Sequence, residues 1–118
     1  MLQCPLIAED IMNSLDEREK GFEAEYMHKQ ELAFRLMARR NRLFGLWVAA
    51  RLGLAPGEAA ETYATSVIIA AFKAPGDEDV IAKVRPDLAG KGHSFSEAEL
   101  RAELGRAEVE ARRQLLEA

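Results

Sequence analysis

One cysteine, two histidines, one tryptophan and four prolines are all that 118 residues contain of those types. The lone Cys4 rules out an internal disulfide and a cysteine-based metal site. With so few histidines, and serines concentrated at helix starts, no Ser-His-Asp or Cys-His arrangement can be assembled, so no catalytic residue is assigned. No apolar run approaches the length that spans a bilayer, so direct membrane insertion is not expected. The opening MLQCPLIAEDIM lacks a basic region and carries Glu9 and Asp10, which argues against a secretory signal and for the cytoplasm. A net charge of −4 gives no pull towards nucleic acid.

What is present is helix-forming sequence. Residues 16–48 contain no proline and are mostly good helix formers. Ser14 and Glu17 fit a capping box, and Gly53 and Pro56 supply a stop. A helix over 15–52 would be roughly 57 Å long at about 1.5 Å per residue, more than a chain of this size can bury along one core. Its charge is divided. Residues 14–31 hold six acids, whereas residues 32–52 hold five arginines and no acid. Seven-residue spacing of Phe22, Leu36, Leu43 and Ala50, beside Tyr26, Ala33, Trp47 and Leu54, predicts a bundle-facing stripe. Lys29 and Arg40 interrupt it, so packing should begin near Leu32 or Leu36. Gly45 would let another helix approach closely.

Three further helices follow. The second is expected over about 57–72 with Tyr63, Val67, Ile68, Ala70 and Ala71 inward, ending at Pro75-Gly76. The third opens on Asp77-Glu78-Asp79, acids that suit a helix start, and buries Val80, Ile81, Val84 and Leu88. Pro86 should break or kink it. Ser96 with Glu99 is a capping box, with Phe95 and Leu100 as the staple of a fourth helix whose apolar line is Leu100, Leu104, Ala107, Ala111, Leu115. The fold class is therefore all-α, a four-helix bundle.

Functional candidates are few. Asp77, Glu78 and Asp79 lack the alternate-ligand spacing of a calcium loop, and no metal site is assigned. His28 and His93 read as exposed polar residues. Arg39, Arg40 and Arg42 form the densest basic cluster. They are candidates for an anion or partner contact, or else for pairing with the acidic second half, which holds twelve acids and eight bases from Gly53 onward.

The run Asp16-Glu17-Arg18-Glu19-Lys20, then Phe22-Glu23-Ala24 and His28, resembles the zeta subunit of proteobacterial F-type ATP synthases. So do Ala38-Arg39-Arg40-Asn41-Arg42-Leu43, Gly45-Leu46-Trp47 and Pro75-Gly76-Asp77-Glu78-Asp79-Val80. The likeness extends from about Met12 to the C-terminus. It implies a non-enzymatic inhibitor whose N-terminal segment is mobile alone and becomes helical at an interface between alpha and beta subunits, near gamma. There it blocks rotation in the ATP-hydrolysing direction. Carried over by position, the partner-binding residues are Asp16, Glu17, Arg18, Glu19, Phe22, Glu23 and His28, to which Tyr26 is added as the next large apolar residue of the arm. The implied division is a disordered extension over 1–13, an arm over 14–30 and a bundle over 31–118. The chain would sit in the cytoplasm, attached to the inner membrane through the ATP synthase. No cofactor is required. The alternative is a nucleotide-binding or assembly bundle of the same family with weak or no inhibition, since ATP or ADP binding is also associated with this family.

Overall fold

The computed structural model describes the backbone of residues 3–116 and the exposure of residues 21 and 23–116, with the side chains of 23–116. It contains α1 (Gln3–Arg51), α2 (Glu58–Ala71), α3 (Glu78–Gly90) and α4 (Glu97–Leu116), with no strand among the described residues. The four-helix, all-α reading is correct. The chain divides into two compact units, Met1–Phe34 and Arg35–Ala118. α1 begins well before the expected start at Ser14. The side chains of Ser14 and Glu17, which carried that expectation, lie outside the described residues.

In the second unit the core is built from Phe44 and Val48 of α1, Val67 of α2, Val80, Ile81, Val84 and Leu88 of α3, and Leu100 and Leu104 of α4. Full burial of one such side chain contributes roughly 1.5–3 kcal/mol. The α3 and α4 lines pack as their spacing predicts, although Ala107 and Leu115 are only half-buried. The α1 stripe does not. Its buried positions are Arg40, Asn41, Phe44, Gly45, Val48 and Ala49, while Leu36, Leu43 and Trp47 are half-buried and Ala33 and Ala50 are exposed. The true inward line is displaced by one residue from Leu43, and it includes the arginine that seemed to interrupt it.

Helix ends follow local chemistry. At the end of α1, Leu54 N–H donates to the Ala49 carbonyl at 3.0 Å and Gly53 N–H to that of Ala50 at 3.2 Å. At the end of α3, His93 N–H reaches the Leu88 carbonyl at 2.9 Å and Gly92 N–H that of Ala89 at 3.0 Å. Both are Schellman closures, and both place glycine where φ is positive, +79° at Gly53 and +81° at Gly92. α4 starts as expected, with Glu99 N–H donating to Ser96 Oγ at 3.1 Å. Ser96→Ala should therefore lower bundle stability by about 1 kcal/mol, as read from the urea midpoint.

The break expected at Pro86 is absent: the helix continues through it to Gly90. Arg85 and Pro86 lie on the exposed side, while Val84 and Leu88 are completely buried on the other. Two anchored turns on either side of the missing N–H hold the helix together, offsetting the roughly 3 kcal/mol that an interior proline costs.

Close approach of α1 and α2 depends on Gly45. A β-carbon there would lie 2.7 Å from Ala64 Cα and 3.1 Å from Ala64 Cβ.

Candidate functional site

The first unit supplies the candidate arm. Gly21 and residues 23–31 are all exposed. Glu23 and His28 are among them, and two large apolar side chains, Tyr26 at 58% and Met27 at 67%, stand in water. Glu25 and Lys29 approach to 3.7 Å one turn apart, a contact worth only a few tenths of a kcal/mol. The side chains of Asp16, Glu17, Arg18, Glu19 and Phe22 lie outside the described residues.

In the second unit all three clustered arginines contact other helices or their approaches. Arg39 donates to Gln114 Oε1 of α4 at 2.7 Å. Arg42 lies against Glu61 of α2, with nitrogen–oxygen distances of 2.5 and 3.1 Å. Arg40 is nearly buried. Its NH2 and NH1 reach the two Asp77 carboxylate oxygens at 2.7 and 3.4 Å. Its Nε and NH2 also reach Asn41 Oδ1 at 3.1 and 2.9 Å. Pairing within the chain accounts for these contacts of all three arginines, and the Arg40 side chain is 8% exposed.

Asp77 is thereby reassigned. It occupies the position before α3 but makes no side-chain capping bond; its carboxylate turns to Arg40 instead. The two sequence elements Ala38-Arg39-Arg40-Asn41-Arg42-Leu43 and Pro75-Gly76-Asp77-Glu78-Asp79-Val80 thus meet through one buried guanidinium. Nothing in either segment alone signals this, because the partners are 37 residues apart.

Arg39 belongs to a second set of contacts. Gln114 Nε2 donates to Glu110 Oε1 at 3.1 Å, and Arg113 NH2 to the same oxygen at 2.6 Å. The Arg113 hydrogen bond, followed by that of Gln114, holds the Glu110 carboxyl down to about 2. Arg39 and Arg40 together form a polar collar, tying α1 to the end of α4 and to the start of α3.

Phe44, Trp47 and Phe95 serve packing. Trp47 stacks on the fully buried Phe44 with ring centroids 6.0 Å apart and meets Phe95 edge-on at 5.3 Å. The Arg51 guanidinium lies 4.0 Å above the Trp47 ring. His93, expected to be exposed, is half-buried and stacks against Phe95 at 6.3 Å.

Sequence reading missed one polar cluster. Tyr63 Oη and Lys83 Nζ both donate to Asp87 Oδ2, at 2.8 and 2.9 Å. Burial, the hydrogen bond to Asp87 and its negative charge all push the Tyr63 hydroxyl well above its usual range. For Asp87 burial acts upward, but the hydrogen bonds from Lys83 and Tyr63 and the charge of Lys83 outweigh it, so the carboxyl is lowered from 3.8. A lowered folded-state value stabilises the fold above pH 4 or so, and that contribution disappears as acid protonates the group. Melting curves from pH 6 to pH 2 should therefore fall less steeply for Asp87→Asn than for the unaltered chain. The i,i+4 spacing of Lys83 and Asp87 was a readable signal; the arrival of Tyr63 from α2 was not.

Among the described residues no three His, Cys, Asp or Glu side chains converge as metal ligands. None of the described helices is long and apolar enough to cross a membrane. The second unit is thus a small helical bundle in which Arg39, Arg40, Arg42 and Tyr63 make polar contacts between its helices. The chain belongs to the ATPase inhibitor subunit zeta family, whose model matches residues 12–114. It is also similar to a protein solved by solution NMR, with 45% identity, a TM-score of 0.62, and coverage of 71% of this chain and 94% of that one. No curated protein matches it.

Proposed function

We propose that this chain binds the catalytic head of the F-type ATP synthase and stops rotation in the ATP-hydrolysing direction. In this reading the helix over residues 14–30 inserts between an alpha and a beta subunit, close to gamma, while the bundle stays outside as an anchor. The chain works in the cytoplasm and reaches the inner membrane only through the synthase. The observation that carries the reading is the continuous exposure of Gly21 and residues 23–31, with Tyr26 and Met27 among them, in a chain whose family is an ATPase inhibitor subunit. Apolar side chains left in water on a charged helix gain free energy when a partner covers them. A one-way block needs only that the arm prefer one rotational state of the head over the others.

The test adds the full chain, and a version lacking residues 1–20, to isolated ATPase head and follows ATP hydrolysis. Inhibition by the first and not by the second is the expected result. Inhibition by neither, or equally by both, contradicts the proposal. Phe22→Ala and Arg18→Glu should each weaken inhibition by about tenfold or more, as central interface residues do. Their melting temperatures should stay within a degree or two of the unaltered chain, because the bundle core of Phe44, Val48, Val67, Val80, Ile81, Val84, Leu88, Leu100 and Leu104 is built in the other unit.

A further inference from the structure

α1 is one uninterrupted helix, and its buried residues, Arg40, Asn41, Phe44, Gly45, Val48 and Ala49, share one side of it. A seven-residue step turns a helix by only about 20° from exact register. Seven and fourteen residues before Asn41 stand Phe34 and Met27, seven before Phe44 stands Met37, and fourteen before Arg40 stands Tyr26. At about 100° per residue, all four lie within roughly 50° of the middle of the buried side. They are also the four large apolar residues that α1 exposes among the described residues: Tyr26 at 58%, Met27 at 67%, Phe34 at 57% and Met37 at 39%. Leu32 and Leu36, which fall off this side, are half-buried. Glu25 and His28, both exposed, occupy the opposite side. The apolar side of α1 therefore continues N-terminally past its last buried residue, and there it meets water.

We propose that this side of α1, anchored by Met27, Phe34 and Met37, seats in an apolar groove of the ATP synthase head, while Glu25 and His28 stay in water. The partner rests on the inhibitory reading above. The orientation and the three anchors are added to it, since none of the three is among the residues that the family resemblance carries over, and His28, which is among them, falls on the far side. Helices laid into grooves are held by apolar anchors repeating along one face, and the unbranched methionine side chain adapts to the shape of such a groove. A second copy of the chain is a poor occupant. Residues 14–31 carry six acids against three bases, so two arms laid together bring like charge into contact. The family itself, an ATPase inhibitor subunit, points to the head.

Substitutions on the two sides of the helix, made in the full chain, test the orientation. Met27→Ala and Phe34→Ala should each raise the concentration needed for half-inhibition of isolated ATPase head by about tenfold. Glu25→Ala and His28→Ala should leave it within about twofold. Should Phe34→Ala lower the melting temperature, Met27→Ala, at the most exposed anchor, decides. Methionine oxidation reads the contact itself. Hydrogen peroxide converts accessible methionine to the sulfoxide, and Met27 and Met37 should oxidise several-fold more slowly in a saturated complex with the head than in the free chain. Three results overturn the proposal: equal losses from both sides of the helix, no loss from Met27→Ala, or unchanged oxidation of Met27 in the saturated complex. Protection of Met27 that grows with chain concentration in the absence of the head also overturns it, and makes a second copy the occupant. A chain that binds the head without inhibiting it removes the inhibitory reading, and the oxidation comparison then still decides the side. A chain that does not bind the head removes both.

Discussion

Asp77→Ala should lower the stability of the bundle by about 2–3 kcal/mol, the largest effect expected of any single polar substitution in this chain. Its target, the Arg40 side chain, is 8% exposed, whereas Asp77 itself is 26% exposed. Deleting the carboxylate leaves a guanidinium that has been taken out of water and keeps only Asn41 Oδ1 as acceptor. Breaking a buried ion pair from one side typically costs about 3–5 kcal/mol, because the remaining charge is uncompensated. The partial exposure of Asp77 places this pair below that range, since water can enter where the carboxylate was. For a domain of this size the loss corresponds to about 10–20 °C in melting temperature. Asp77→Asn, which retains one acceptor oxygen but not the charge, should fall between. Urea unfolding with an unchanged slope and a lower midpoint is the expected form of the result. A change under about 0.5 kcal/mol is what an exposed pair would give, and would mean that water screens this contact.

The second large effect is steric. At Gly45 an added β-carbon would meet the Ala64 backbone, Cα at 2.7 Å and the carbonyl oxygen at 3.4 Å. A flexible side chain could swing away from such a contact, but a helix backbone cannot, so α1 and α2 must separate. Separation opens the packing at Phe44, Val48 and Val67, which are completely buried. Gly45→Ala gains about 1 kcal/mol of helix propensity and loses about 1–3 kcal/mol to overpacking. Its net effect should be a loss of up to 2 kcal/mol or so. Gly45→Leu carries the same clash with three more carbons and should cost about 3 kcal/mol or more, enough to leave much of the chain unfolded at 37 °C. Gly105 is the control. It lies within α4 with nothing within 4 Å of an added β-carbon, so Gly105→Ala should stabilise by about 0.5–1 kcal/mol. Equal effects at the two glycines would remove the close-approach argument.

What could be read from the sequence was what short spacing determines. Ser96 and Glu99 are three residues apart, and the buried line of α3 repeats within one helix, so local periodicity sufficed for both. The close approach at Gly45 could also be anticipated, because a glycine between Phe44 and Leu46 in a strong helix calls for a packing reason. The Arg40 pairing was hidden. A charge on an apolar stripe either breaks the buried face or lies buried with a partner, and spacing alone does not distinguish the two. Its partner, Asp77, had an adequate local explanation as an acid at a helix start, and that explanation displaced the correct one. Pro86 misled for a related reason: its backbone preference is local, while the burial of Val84 and Leu88 that overrides it is tertiary. Of the arm, the sequence showed charge and sparse apolar character, and the structure adds the exposure of Tyr26, Met27 and their neighbours. The roles of Asp16, Arg18 and Phe22 are carried by the family resemblance.

The proposed function requires a stable bundle that carries an exposed arm which its target covers. Amide hydrogen exchange over residues 21–34, measured in the free chain and in its complex with isolated ATPase head, tests this most directly. The predicted result is fast exchange in the free chain and strong protection in the complex, with the core amides around Phe44 and Val48 protected in both. Arm amides that already exchange as slowly as those of the core in the free chain, or that stay unprotected in a fully inhibited complex, would contradict it.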